Sequence, residues 1–102
     1  MTGLVIVEMQ VVDPEKMAAY RELAVAAIEK YRGRFLVRGG PAECVEGERP
    51  HNESVVVLAF PDMGTARDWY ASPEYSKALA VSSQAMTRRV TLVEGVPAPE
   101  VA

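Results

Sequence analysis

Apolar residues recur along this chain in two spacings, and the changes from one to the other mark out its elements. Val55-Val56-Val57-Leu58-Ala59-Phe60 is an unbroken run, rich in β-branched residues and closed by Pro61. Such side chains suit a pleated strand, and a run this short is a strand rather than a buried helix. Successive strand side chains point to opposite faces, so a run without alternation needs cover on both. One face can take the chain's own helices; the other calls for a second copy of the chain. Residues 3–12 read as another strand, apolar on both faces from Leu4 to Val7 and one-sided once Glu8 and Gln10 are reached. Residues 34–38 and 89–94 give two further strands of mixed pattern, as sheet edges have.

Between the strands the spacing turns helical. Asp13-Pro14-Glu15 supplies a cap, a first-turn proline and an acid at the positive end of a helix dipole. Met17, Tyr20, Ala24, Ala27, Ile28 and Tyr31 follow on one face, and Gly33 is expected to close the helix as its left-handed residue. Asp62 caps a second helix carrying Met63, Ala66, Trp69 and Tyr70. Ser72-Pro73-Glu74 breaks it and starts a third segment that runs to Gln84. Gly39-Gly40-Pro41 predicts a bulge or sharp bend, after which Ala42 to Glu46 resumes extended structure. Residues 47–53 read as a polar hairpin loop. The order βαββαβ, with the two doubly apolar strands in the centre, predicts an α+β, ferredoxin-like fold: a four-stranded antiparallel sheet with helices on one face. Residues 1–96 are expected to form this one domain, and residues 97–102 a C-terminal tail.

Composition narrows the function classes. A net charge of −3 over 102 residues, with no basic stripe beyond the isolated Arg88-Arg89 pair, argues against a nucleic-acid partner. No apolar run is long enough to span a bilayer, and the N-terminus lacks the charged region of a signal peptide, so no membrane partner and a cytoplasmic location are expected. Cys44, the single cysteine, cannot form an internal disulfide and sits in an extended segment as a small buried residue. His51, the single histidine, falls in a polar loop beside Pro50, where exposure is expected. Glu43, Glu46 and Glu48 are not spaced around it as metal ligands are, so neither metal nor cofactor is expected. Ser72 reads as a cap, and Ser82 and Ser83 as exposed helix positions.

Arg38 is the sharpest candidate for chemistry. It follows Phe35-Leu36-Val37 and precedes two glycines that let a ligand approach. Its planar donor fork suits carboxylate or enolate oxygens. Strict alternation places it with Leu36, opposite Phe35 and Val37. The competing reading is an ion pair with Glu8 or Glu94. Tyr20, Trp69 and Tyr75 could wall an apolar pocket for a planar ligand, or simply pack between helices and sheet.

Phe35-Leu36-Val37-Arg38-Gly39-Gly40, Phe60-Pro61, Trp69-Tyr70-Ala71-Ser72-Pro73-Glu74-Tyr75 and Leu92-Val93-Glu94-Gly95 together resemble the domain-of-unknown-function family 1330 (DUF 1330). The resemblance implies the dimeric α+β barrel superfamily, in which two ferredoxin-like sheets pack face to face. Relatives there include cofactor-free monooxygenases, muconolactone isomerases and haem-dependent enzymes. Where relatives often carry an acid before Phe-Pro, this chain has Ala59; where they often carry an aromatic and an arginine in the hairpin, it has Pro50-His51-Asn52-Glu53. The expectation is a homodimeric protein binding a small anionic or aromatic molecule through Arg38, Tyr20, Trp69 and Tyr75. A cofactor-independent monooxygenase- or isomerase-like enzyme acting on a small oxygenated or aromatic acid is the alternative, and a haem enzyme ranks third.

Overall fold

Seven elements follow one another: β1 (Gly3–Val11), α1 (Pro14–Lys30), β2 (Arg34–Arg38), β3 (Ser54–Phe60), α2 (Met63–Tyr70), α3 (Pro73–Ala85) and β4 (Met86–Glu94). The structure is a computed structural model and describes residues 1–96; the tail assigned to residues 97–102 lies outside the described residues. The strands form one antiparallel sheet in the order β2-β3-β1-β4, with the two apolar runs in its centre as their patterning predicts. This is the α+β, ferredoxin-like arrangement.

Register decides which side chains meet the helices. Val5 pairs with Leu58 and Leu92, and Val7 with Val56 and Val90, so these residues share one face. That face carries the core: Val5, Val7, Leu58 and Phe60 pack with Ala24, Ala27 and Ile28 of α1, Ala66 and Trp69 of α2, and Tyr75 and Ala78 of α3. Trp69, Tyr75, Phe60, Met17 and Val5 are the largest fully buried side chains, each worth roughly 1.5–3 kcal/mol of burial. The opposite face holds Leu4 and Ile6 of β1, Ala59 and Val57 of β3, and Val93 of β4, with no helix over them.

The helix starts follow the sequence. The Asp13 carboxylate accepts hydrogen bonds from the backbone N–H of Glu15 and Lys16 at 3.0 and 3.3 Å, and that of Asp62 accepts from Thr65 N–H at 2.7 Å. Ser72 Oγ accepts from Tyr75 N–H at 3.0 Å and donates to Trp69 O at 2.7 Å, so one buried hydroxyl both ends α2 and begins α3.

Six local expectations are corrected. Arg32, not Gly33, takes the left-handed conformation after α1, with φ of 62°. Gly33 is needed for space instead: a Cβ there would lie 2.6 Å from Phe60 Cε1 and 2.9 Å from Ile28 Cγ2. Residues 42–46 form no strand and pair with none of the four. Cys44 is accordingly exposed rather than buried. Ser82 is buried, its Oγ–H satisfied by Leu79 O at 3.0 Å. β4 begins at Met86 rather than Arg89. The sixth correction, the position of the β2 bulge, bears directly on Arg38.

Candidate ligand-binding site

The core does not fill the space between α1, α3 and the near end of the sheet. A cleft of about 230 Å³ remains there. Apolar side chains make its walls: Met17, Ala24 and Ile28 from α1, Val56 and Leu58 from β3, and Phe35 from β2. Its polar side chains are Tyr20, Arg21, Arg38, Ser54, Tyr75 and Arg88, with the indole of Trp69; among the described residues no aspartate or glutamate lines it.

Arg38 reaches this cleft through a register shift. β2 pairs Phe35 with Leu58 and then Val37 with Val57, leaving Leu36 as an extra residue. A bulge of this kind moves every later side chain to the other face. Arg38 therefore lies opposite Val56 and shares the helix-facing side with Phe35, not the outer side with Leu36. The expectation from alternation is reversed, and the bulge falls before the glycine pair rather than at it. The Arg38 guanidinium carbon lies 4.2 Å from the centroid of the Phe35 ring, a cation–π stack. Among the described residues it has no carboxylate partner; Glu8 pairs instead with Arg89, at 3.7 Å. Gly39, with φ of 72°, then turns the chain out of the sheet after its N–H bonds to Val55 O at 3.0 Å. Arg38 and Arg21 are both exposed and mark the mouth of the cleft.

Deeper in, Tyr20 and Tyr75 hydrogen-bond through their hydroxyls, and Arg88 Nη1 donates to the Tyr20 oxygen at 2.9 Å. The two tyrosine rings meet edge to face, and Tyr75 also stacks on Trp69 with centroids 4.2 Å apart. Burial, and then the adjoining Tyr20, push the Tyr75 phenol well above its usual range; Arg88 pulls the other way. Burial works against the charge of Arg88, but the two phenol oxygens outweigh it and hold the guanidinium more firmly protonated than usual. Trp69 is 1% exposed, and its Nε1–H has no acceptor among the described residues.

All four residues expected to bind a ligand, Arg38, Tyr20, Trp69 and Tyr75, thus line one cleft. Trp69 and Tyr75 are core residues at the same time, so the packing reading and the pocket reading both describe them. His51 lies in the exposed loop and does not line the cleft. Arg88 and Arg21 are the residues that sequence reading missed. The signal for Arg88 was present: Met86, Arg88, Val90 and Leu92 alternate, so the arginine belongs to the apolar face of β4. Starting that strand at Arg89 hid the alternation. Nothing in the local sequence of α1 singles out Arg21.

Fold and cleft together define a class: a ferredoxin-like α+β protein with a small arginine-rimmed pocket between helices and sheet. Solved structures of the same fold are related to it at low identity. A protein of unknown function from Rhodopseudomonas palustris, RPA0582, superposes with a TM-score of 0.76 at 16% identity, over 95% of this chain and 84% of that one. SnoaB, a cofactor-independent oxygenase from Streptomyces nogalater, superposes with a TM-score of 0.64 at 14% identity, over 98% of each chain. A putative antibiotic biosynthesis monooxygenase from Chloroflexus aurantiacus gives 0.63 at 11% identity over the full length of both. No curated protein matches the sequence. The chain belongs to the family described as domain of unknown function DUF1330, whose sequence model matches residues 2–96.

Proposed function

We propose that this protein is a cytoplasmic homodimer that binds a small anionic or aromatic molecule in the cleft between α1, α3 and the sheet. The observation that carries the reading is Arg38: the Leu36 bulge turns it onto the cleft side, stacks it on Phe35 and, among the described residues, leaves it without a carboxylate partner. Arg38 is exposed at the mouth, so its charge stays hydrated in the free protein and its planar donor fork is open to an anionic ligand. Size sets the ligand class. An apolar cavity of about 150 Å³ accommodates benzene, so about 230 Å³ suits one substituted ring. Dimerisation is supported by the outer sheet face, where Leu36, Val37 and Val93 are 48%, 39% and 40% exposed beside Leu4, Ile6 and Val57.

Benzoate titration followed by Trp69 fluorescence tests the binding reading. Arg38→Lys keeps the charge but loses the planar fork, and is expected to weaken benzoate at least about tenfold, which is 1.4 kcal/mol, with little change in melting temperature. Unchanged benzoate affinity in both Arg38→Lys and Arg38→Ala would defeat it. A second reading, a cofactor-independent oxygenase- or isomerase-like enzyme acting on a small oxygenated or aromatic acid, is supported by the fold shared with a protein described as a cofactor-independent oxygenase. Its test is turnover of a hydroxyaromatic acid by metal-stripped protein.

A further inference from the structure

We propose that Tyr20, Tyr75 and Arg88 form an oxyanion site at the inner end of the cleft, and that the ligand is a small acidic phenol or enol held there through its deprotonated oxygen. This deepens the binding reading and rests on it. The argument is an inventory of donors and acceptors. Arginine only donates, so the Tyr20 oxygen accepts from Arg88. The contact between the two phenols uses one of their two protons, whichever way it runs. The other proton has no acceptor among the described residues. The inner end of the cleft thus holds a surplus donor and one cation.

Nothing in the lining offsets that surplus. Among the described residues, the charged or titratable side chains facing the cleft are Tyr20 and Arg21 from α1, Arg38 from β2, Tyr75 from α3 and Arg88 from β4; β1 and β3 contribute none, and no carboxylate is among them. Arg88 is half-buried, and no carboxylate pairs with it among the described residues. Buried donors and cations without partners are costly, so the ligand that fits best brings an acceptor with negative charge. A phenol or enol suits this place better than a carboxylate. It crosses the apolar walls of Met17, Leu58 and Phe35 as a neutral molecule and ionises beside Arg88, its proton passing to bulk water through the open cleft, and this avoids the cost of stripping water from an anion at the mouth. A carboxylate on the far side of the same ring would then meet Arg38. The hydroxyl protons and the guanidinium would stabilise a single oxygen, as preorganised donors do for developing oxyanions.

4-Nitrophenol is a direct probe, because its phenol and phenolate absorb at different wavelengths. Titrated with pH in the presence of excess protein, its apparent pKa is expected to fall by at least about one unit, a tenfold shift in its ionisation equilibrium. Arg88→Met should abolish most of that shift, and Tyr75→Phe should reduce it. Benzoate binding, measured in parallel by Trp69 fluorescence, separates the two proposals. If neither benzoate nor 4-nitrophenol binds, the binding reading and the oxyanion site fall together. If benzoate binds but 4-nitrophenol keeps or raises its pKa, only the oxyanion site falls. If Arg88→Met does not fold, the wild-type shift and its reduction in Tyr75→Phe decide, and an undiminished shift in that variant overturns the assignment.

Discussion

Val57→Asp tests the idea that the bare sheet face is an interface. Val57 pairs with Ile6 and Val37 and points away from the helices, whereas its neighbour Val56 points into the cleft. In a lone protomer Val57 is only half-buried, so the aspartate can stay hydrated. Its cost there is mainly lost strand preference and partial burial, about 1 kcal/mol. In a face-to-face dimer the same carboxylate lies in an apolar contact, with no basic side chain beside it on β1 or β3; Arg34 of the edge strand β2 is on the same face but sits one pair along, opposite Ala59. An unpaired charge buried in this way costs roughly 3–5 kcal/mol, and two-fold symmetry introduces one from each protomer. At about 1.4 kcal/mol per decade, one such charge alone raises the dissociation constant by more than about a hundredfold. A standard interface of about 1,600 Å² is held by a margin that this removes at micromolar concentration. Light scattering across a dilution series should give a dimer mass for the parent protein and a monomer mass for Val57→Asp, with the far-ultraviolet circular dichroism of a folded α+β chain in both. A monomeric parent protein, or a Val57→Asp variant that stays dimeric at the same concentration, would refute the reasoning.

Three further outcomes are expected. Gly33→Ala forces a methyl against the buried Phe60 ring; overpacking costs about 1–3 kcal/mol, less about 0.4–1 kcal/mol gained by stiffening the unfolded chain, so a lower urea midpoint is expected and an unchanged or higher one contradicts the packing. The Asp62 carboxyl is held below its usual range by the Thr65 N–H hydrogen bond, so it stabilises the fold above the unfolded carboxyl pKa of about 3.9 and loses that contribution as pH falls through its folded value; Asp62→Asn should flatten this part of the acid dependence of the urea midpoint. The buried Tyr75 phenol resists ionisation, so the unfolded chain releases its proton first, and stability should fall as pH rises past about 10; Tyr75→Phe should remove that contribution to the alkaline slope, and a slope identical to the parent's would count against the buried placement.

The sequence by itself determined the elements and the layer they form. Asp13, Asp62 and Ser72 announce helix starts because a short polar side chain before a proline or an apolar face has one favourable local use, and all three make the capping bonds. The unbroken apolar runs of β1 and β3 require cover on both faces, which places them in the centre of the sheet. These are local rules of spacing and backbone chemistry, readable without knowing what lies across the core. The cleft depended on register, which is a property of two strands together. One extra residue at Leu36 reversed the face of Arg38, and no residue type in Phe35-Leu36-Val37 marks that position as a bulge. Arg88 became a cleft residue because β4 starts at Met86, directly after α3, and runs beside β1. The meeting of Tyr20, Tyr75 and Arg88 joins residues far apart in the chain. Only the packing of α1 against α3 over the sheet could bring their donors to one end of one cleft.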